Sequence, residues 1–459
     1  MKKYALILIT LLFFPFSSHA DNWKAYPYNN PESKIVFPDD EGSHAPVLGL
    51  EWWYMVIHAT GETTGDKYSI LVTHFNNQFR FFTVTNVTQQ THKSGTTMGL
   101  LNSKHGYLDV KQTTQYGTDY MRTKKDSGGK LVAFEYEFET NHSDMHIQGQ
   151  LKSLKPPMMV GGTGYVPIGS SGNSWYYSLT RLDVDAVLTY NGITERITGL
   201  GWFDHQWGEF LVSPVELFGV FETYEWFCVQ LDNGAEIMIS NIFDRNYNLP
   251  YGGKYGGIQY CGPDGYTVPG LTSIFTRTGY WQDPESKNYM SMGWTLEAPA
   301  INLKLTLTPE FKNQMVKFPL NGDFWEGSIH VDGTLDNVPV SGRAFGELMH
   351  RYEIPRLNIS VNNYPKKTAY KTNEVIEVGW KVRNPDQGNP LTYDVDLVTS
   401  KLSIPVAKGI KENSAAFTLA ETVPAGTKVD FFRIKITAYS VDKVIQGSSY
   451  SPYLMKSLQ

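Results

Sequence analysis

The ten residues from Gly199 to Gly208 read Gly-Leu-Gly-Trp-Phe-Asp-His-Gln-Trp-Gly. Aromatic residues favour strands and burial, whereas an aspartate is costly to bury unless it has hydrogen-bonding partners. Side chains alternate between the two faces of an extended strand, so Asp204 and His205 would face opposite sides. A β-bulge, which the glycines permit, could still bring both side chains into one cavity.

This stretch leaves several roles open. Asp204 and His205 could be polar residues whose hydrogen bonds are satisfied where two strands cross. Alternatively, Asp204 is a catalytic acid in an aromatic cavity, and His205 orients it or a water molecule. A third role is to orient a ligand without chemistry. The candidate catalytic residues are therefore Asp204 and His205.

The length of 459 residues predicts two or three domains. Aromatic residues make up 14% of the chain, which is enough for large cores and for cavities lined with rings. Short runs of strand-forming residues alternate with turn signals such as Asn191-Gly192, so we predict an all-β protein. The net charge of -6 argues against nucleic acid as a partner.

Residues 1–20 have the pattern of a signal peptide. Two lysines precede a short apolar run, and Ser18-His19-Ala20 fits a cleavage site. We therefore expect a mature chain that begins at Asp21 and is periplasmic or secreted. No later stretch approaches the apolar length that a transmembrane helix requires.

The rest of the chain divides by composition. Residues 21–48 are proline-rich and predict an irregular, ordered lead-in or lid. Residues 49–198 and 199–355 each carry enough strands for one β-barrel. From residue 356 the aromatic clusters thin out, and residues 356–459 predict a β-sandwich of the immunoglobulin or fibronectin-III type.

Two further strands are rich in aromatic residues, one at residues 51–58 and one at residues 174–182. Arg181 lies on an aromatic face, where it could pair with Glu51 or with Asp204. Pairing with Asp204 would lower the pKa of that acid and weaken its role as a proton donor. The candidate substrate-binding residues are Glu51, Trp52, Tyr54, Trp175, Tyr177, Arg181, Trp202 and Trp207.

The remaining reactive residues give weaker signals. Cys228 and Cys261 could form a disulfide in an oxidising compartment, or remain two buried thiols. No CxxC or HExxH spacing is present, so we expect neither a metal nor a cofactor. Glu225, Glu347 and His350 are further titratable groups, and we expect them to be surface or ion-paired residues.

Four elements together resemble a known family. They are Glu51-Trp52-Trp53-Tyr54, Ser174 to Arg181, the stretch from Gly199 to Gly208, and a Gly-x-x-x-Gly-Glu-Leu element from Gly342 to Leu348. Over about residues 45–355 the chain resembles the lipocalin-like family of carotenoid 1,2-hydratases (hydroxyneurosporene synthases) and AttH proteins. The resemblance implies two tandem lipocalin-like barrels, with a ligand site between or near them. The carotenoid enzymes of this family add water across a terminal isoprenoid double bond.

Three functions follow as hypotheses. The first is an exported enzyme that binds an apolar isoprenoid- or polyketide-like small molecule and hydrates, isomerises or cyclises it by acid catalysis from Asp204. The second is a non-catalytic carrier of lipophilic ligands. The third is a structural or interaction protein that acts through its immunoglobulin-like domain. A serine hydrolase has little support because the chain lacks a Gly-x-Ser-x-Gly element.

Overall fold

The computed structural model describes residues 22–45, 49–168, 172–210, 223–243, 258–318, 322–349, 357–383, 390–441, 443 and 446–457. Strands dominate these ranges, which contain one α-helix, α1 (Leu419–Thr422), and three short 3-10 helices at Asn22–Lys24, Asp39–Glu41 and Pro299–Ile301. The all-β prediction is confirmed. None of the helices in these ranges has the length and apolarity to cross a membrane. The predicted signal peptide and His350 lie outside the described residues.

The first large sheet curls into a nearly closed barrel. Its strands pair antiparallel in the order β6-β5-β4-β3-β15-β14-β11-β10-β9-β8-β7, and β12 and β13 pair with β14. The strands are β3 (Leu50–Gly61), β4 (Lys67–Phe75), β5 (Phe79–Asn86), β6 (Thr91–Met98), β7 (Leu100–Ser103), β8 (Asp109–Thr114), β9 (Gly117–Lys125), β10 (Leu131–His142), β11 (Met145–Ser153), β12 (Met158–Met159), β13 (Tyr165–Ile168), β14 (Gly172–Tyr190) and β15 (Ile193–Glu209).

Strand β15 crosses the domain boundary that we predicted at residue 198. It is paired along its length with β14 on one side and with β3 on the other. The first barrel therefore extends to Glu209. The stretch from Gly199 to Gly208 therefore belongs to a central strand of this barrel and is not the start of the second one.

The lead-in is ordered and also supplies part of the core. Its two short strands, β1 (Tyr28–Asn29) and β2 (Val36–Phe37), pair with each other. Trp23, Ile35 and Phe37 are buried in the apolar core of the first barrel. The segment is therefore a built-in part of that barrel rather than only a lid.

The second large sheet forms a half-barrel. Its strand order is β19-β18-β17-β16-β27-β26-β24-β23-β20, and β25 pairs with β26. A separate pair is formed by β21 and β22. The strands are β16 (Thr223–Leu231), β17 (Glu236–Phe243), β18 (Ile258–Cys261), β19 (Thr267–Leu271), β20 (Ile274–Arg277), β21 (Tyr280–Gln282), β22 (Tyr289–Ser291), β23 (Trp294–Ala298), β24 (Leu303–Pro309), β25 (Met315–Val316), β26 (Phe324–Leu335) and β27 (Val338–Leu348).

The C-terminal part has two smaller sheets, which is consistent with a β-sandwich. One has the order β28-β30-β33; the other has the order β29-β36-β34-β31-β32, with β35 beside β34. They share a core that includes Trp380, Tyr393 and Ile434. The immunoglobulin or fibronectin-III type stays a prediction. The strands are β28 (Asn358–Asn363), β29 (Ala369–Tyr370), β30 (Val375–Arg383), β31 (Thr392–Val398), β32 (Ser403–Ile410), β33 (Ser414–Thr418), β34 (Phe431–Tyr439), β35 (Gln446–Tyr450) and β36 (Leu454–Lys456).

Gly199 lets β15 approach β3 closely. A Cβ atom at this position would lie 2.1 Å from the carbonyl oxygen of His58, which is backbone and cannot turn aside. We expect Gly199→Ala to lower the free energy of unfolding by about 1–3 kcal/mol, as overpacking does elsewhere. Gly201→Ala is the matched control, because its Cβ would meet a methyl group of Val184 at 3.2 Å. Urea unfolding of both variants checks this, and equal losses would contradict it.

Candidate active site

The outer faces of the two barrels pack against each other and leave a cleft. The apolar contacts between them come from residues of both barrels, among them Tyr54, Trp202, Trp226 and Phe345. The cleft has a volume of about 500 Å³, part of it open to solvent. It is lined by Trp52, Tyr54, Ile168, Tyr176, Asp204, Gln206, Phe210, Tyr224, Trp226, Ser240, Ile242 and Glu347.

Asp204 is the buried acid of this cleft. Its side chain is only 2% exposed. The Tyr176 hydroxyl donates to its Oδ2 at 2.5 Å, and Trp202 Nε1 donates to its Oδ1 at 2.7 Å. Burial raises the pKa of Asp204 to about 7, although the hydrogen bonds from its neighbours lower it. The carboxyl group can therefore hold its proton near neutral pH.

Two more carboxyl groups, those of Glu347 and Glu326, lie near Asp204, and each accepts a hydrogen bond from a tyrosine. The Tyr224 hydroxyl donates to Glu347 Oε1 at 2.6 Å, and the Tyr54 hydroxyl donates to Glu326 Oε2 at 3.2 Å. The two glutamates face each other across β26 and β27. Burial raises the pKa of Glu347 to about 7 and raises that of Glu326 well above its ordinary value.

The cleft combines rings with acids and has no basic residue among its described lining residues. A lysine or arginine beside Asp204 would hold the carboxyl group ionised. Without one, burial favours the neutral acid. Trp52 and Trp226 line the cleft, and the π electrons of such rings can stabilise a positive charge on a bound molecule. This combination suits acid catalysis that passes through a cation.

Three predicted substrate-binding residues meet Asp204 here. Trp52 and Tyr54 line the cleft. Trp202 is buried among the contacts between the barrels and holds the Asp204 carboxyl group. Their side chains share one face because β3 and β15 pair in register, with Tyr54 opposite Asp204 and Trp52 opposite Gln206.

The structure places three other predicted binding residues on the opposite face. Tyr177 and Trp207 are buried in the core of the first barrel, and the half-buried Trp175 packs against that core. The reason is the alternation of side chains along β14, where Tyr176 faces the cleft and its two neighbours face the barrel. These three predicted residues therefore lie on the face away from the cleft.

His205 and Glu51 also lie inside the first barrel. His205 Nε2 is 3.1 Å from Glu51 Oε1, and His205 Nδ1 is 3.0 Å from the carbonyl oxygen of Asp40. No bulge brings His205 to Asp204, because β15 pairs with β3 in unbroken register. The expectation that His205 acts beside Asp204, and that Glu51 contacts the same ligand, is corrected accordingly.

Arg181 pairs with neither Glu51 nor Asp204. Its guanidinium Nε donates to Glu236 Oε1, and its Nη2 donates to the carbonyl oxygen of Leu231 at 2.8 Å. Lys155 Nζ contacts the other oxygen of Glu236 at 2.6 Å. These two basic residues belong to the first barrel and the glutamate to the second, so the cluster joins the barrels and leaves Asp204 without a basic partner.

The predicted disulfide is wrong, and both cysteines are buried free thiols. Cys228 lies opposite Met238 and Cys261 lies opposite Glu236, so β17 runs between the two cysteine-bearing strands. Two strand spacings alone amount to about 9–10 Å, and the cysteines are also offset by two residues along β17. A disulfide requires Cα atoms within about 7 Å.

The cleft residues that sequence reasoning missed include Tyr176, Tyr224 and the acids of the second barrel. Alternation along β14 puts Tyr176 on the face opposite Trp175 and Tyr177, but it does not tell which face meets the second barrel. Glu347 was expected to be a surface or ion-paired residue, and it lines the cleft instead. The same expectation is confirmed for Glu225, whose carboxylate pairs with Arg277 inside the second barrel.

Glu41 is an equally buried acid outside the cleft. Its carboxyl group accepts hydrogen bonds from Tyr136 at 2.6 Å, from Tyr26 at 2.9 Å and from Thr123 at 3.2 Å. Burial raises its pKa from the ordinary value of 4.5 to about 7. The folded state therefore holds the proton more tightly than the unfolded chain does, and stability is lost as the pH rises between these two values.

Glu41→Gln removes this titration because glutamine stays neutral. We expect the stability of the wild type, taken relative to Glu41→Gln, to fall between about pH 5 and about pH 8. Comparing the two proteins at each pH cancels the contributions of all other groups. Urea unfolding at both pH values measures the difference, and a constant difference would show that Glu41 does not titrate in this range.

Comparison with known proteins supports the shared architecture. The sequence model of the AttH-like family matches residues 28–352. A Nitrosomonas europaea protein assigned to AttH has a TM-score of 0.56 and 16% identity, covering 72% of this chain and 100% of its own. Kievitone hydratase from Nectria haematococca has a TM-score of 0.50 and 17% identity, covering 71% of this chain and 98% of its own. No curated protein matches the chain. The chain belongs to the AttH-like family.

Proposed function

We propose that this protein is an exported enzyme that binds an apolar isoprenoid- or polyketide-like molecule in the cleft between its barrels. It hydrates, isomerises or cyclises that molecule with Asp204 as the acid. The observation that carries the proposal is the buried Asp204 carboxyl group, held by Tyr176 and Trp202 in a cleft whose described lining has no basic residue. Such a group is a neutral proton donor in apolar surroundings.

The proposed reaction begins with proton transfer from Asp204 and ends with the return of a proton to the same carboxylate. Asp204 transfers its proton to one carbon of a double bond, whose π electrons form the new C–H bond. The other carbon becomes a cation, which the aromatic faces of Trp52 and Trp226 stabilise. In hydration, water adds to the cation and returns a proton to the Asp204 carboxylate. In isomerisation, the cation loses a different proton to the Asp204 carboxylate. In cyclisation, a second double bond attacks the cation to form a C–C bond, and the new cation then loses a proton to the Asp204 carboxylate.

Two further points support this reaction class. The fold is shared with a protein whose name is a hydratase, although the identity of 17% carries the fold alone. The cleft is partly open to solvent, which gives a small molecule access to its lining residues. Export is proposed from the signal-peptide pattern of residues 1–20.

Mass spectrometry of the small molecules extracted from purified protein tests the proposal. Wild type, Asp204→Asn and Glu41→Gln are isolated side by side from the native compartment. An enzyme should hold substrate in Asp204→Asn, and product in wild type and in Glu41→Gln, whose buried acid lies outside the cleft. The same compound in all three proteins would contradict catalysis and favour a carrier of lipophilic ligands.

A further inference from the structure

A second cluster of chemically active side chains lies inside the first barrel, away from the cleft. It consists of His44 from the lead-in, Glu51 from β3 and His205 from β15. One donor atom from each residue lies within 4.8 Å of the other two. Glu51 and His205 are fully buried, whereas His44 is 22% exposed and leaves a route to solvent.

The three donor atoms are arranged like metal ligands. Glu51 Oε1 is 3.0 Å from His44 Nδ1 and 3.1 Å from His205 Nε2. Two ligands on one zinc ion, each about 2.0–2.1 Å from it, lie only slightly farther apart than this. Two histidines and one glutamate are also a known ligand set for zinc, with a further position left for water. The two histidine donor atoms lie within 4.8 Å of each other, so all three donors can face one ion.

The outer hydrogen bonds already have the pattern of a metal site. His44 Nε2 contacts Asp40 Oδ1 at 2.9 Å, and His205 Nδ1 contacts the carbonyl oxygen of Asp40 at 3.0 Å. A histidine that binds a metal commonly donates its other N–H to a carboxylate or a backbone carbonyl, which fixes the ring. One residue, Asp40, supplies both of these acceptors.

The hydrogen-bond partners of the two histidine rings also favour a metal ion at this site. Each of the four ring nitrogens of His44 and His205 faces an oxygen that can only accept. Without a metal, both rings need a proton on each nitrogen to satisfy these contacts. A divalent ion among His44 Nδ1, His205 Nε2 and Glu51 Oε1 replaces two of those protons, so the total charge of the cluster is unchanged.

The rings around the cluster restrict its access to water. Trp207 stacks on His44 with ring centroids 3.9 Å apart, and Trp53 stacks on His205 at 4.9 Å. Aromatic walls of this kind lower the local dielectric and strengthen ligand–metal attraction. No sequence pattern indicates the site, because its three ligands come from separate segments and lack a short-range motif.

We propose that His44, Glu51 and His205 bind one divalent transition-metal ion of the zinc type, which fastens the lead-in to the first barrel. Imidazole nitrogens favour zinc over magnesium and calcium, which prefer oxygen ligands. The site does not depend on the proposed catalytic function, because His205 faces the barrel interior while Asp204 faces the cleft.

Zinc binding to the chelator-treated, desalted protein tests the proposal. Metal analysis should find one Zn²⁺ per chain in the wild type, and excess Mg²⁺ should not displace it. Zn²⁺ should also raise the melting temperature, because it binds the folded state. Asp40→Asn keeps the three ligands but weakens the orientation of His44, so we expect its affinity to fall about 10–100-fold.

His44→Ala should lose the bound zinc, and His146→Ala is its matched control. His146 is also partly exposed and pairs with a glutamate, Glu139, at 3.2 Å, but it lies outside the cluster. Melting curves in the presence of chelator show whether each variant folds. If His44→Ala does not fold, the affinity of Asp40→Asn decides the test. A wild type without stoichiometric zinc, or equal binding by wild type and the cluster variants, overturns the proposal.

Discussion

Replacing Asp204 with Asn is expected to lower turnover about 10²–10⁴-fold, which is the usual contribution of a positioned general acid. The amide has nearly the same shape and can keep contacts with Tyr176 and Trp202, but it cannot give up a proton at a useful rate. The affinity for the ligand should change little, because the apolar faces of the cleft are untouched. The loss should therefore appear in kcat and not in the dissociation constant.

Kinetics with acyclic terpenoids that carry terminal double bonds measure this effect, with water-addition and cyclised products followed by mass spectrometry. Glu41→Gln is the control, because Glu41 is also buried, also bonded to tyrosines and also has a pKa raised to about 7. It should keep wild-type turnover. Full turnover in Asp204→Asn would exclude this residue as the acid and direct attention to Glu347, the other carboxyl group that lines the cleft.

The identity of the candidate acid was predictable from local sequence. Asp204 directly follows Trp202 and Phe203 in a strand pattern. Rings of this size favour burial, so the aspartate beside them is expected to be buried with hydrogen-bonding partners. Alternation also correctly placed Asp204 and His205 on opposite faces. Alternation alone does not show which face of β14 meets the second barrel. Trp175 and Tyr177 were therefore predicted as binding residues, whereas Tyr176 is the residue of this strand that lines the cleft.

The rest of the site depends on contacts between residues far apart in the chain. Tyr54 and Glu326 are 272 positions apart, and their hydrogen bond exists only because the outer faces of two barrels meet. Glu347 gave no local signal beyond its charge, and the register of β26 with β27 is what sets it opposite Glu326. Packing between the barrels, and not any short motif, assembles this acidic half of the cleft.

A second large effect is expected for Arg277→Met, which should lower the free energy of unfolding by about 3–5 kcal/mol. Arg277 and Glu225 are both fully buried, and Nε and Nη2 of the arginine contact Glu225 Oε2 at 2.8 and 2.5 Å. Ser291 donates to the other carboxylate oxygen at 2.6 Å. Removal of the arginine leaves the Glu225 carboxylate in an apolar interior without its cation, and the Ser291 hydroxyl cannot offset that loss.

The pair also has a topological role, which makes the size of the loss informative. Glu225 lies on the central strand β16 and Arg277 on the edge strand β20, so the contact crosses the interior of the half-barrel.

Urea unfolding measures the loss of stability in Arg277→Met. Arg196→Met is the control, because the pair of Arg196 with Asp185 is exposed and its loss should cost about 0–1 kcal/mol. The double variant Glu225→Gln/Arg277→Met should recover part of the loss, since no charge stays buried. Equal costs for the two arginine variants would mean that the buried ion pair does not hold β20 more strongly than an exposed pair would.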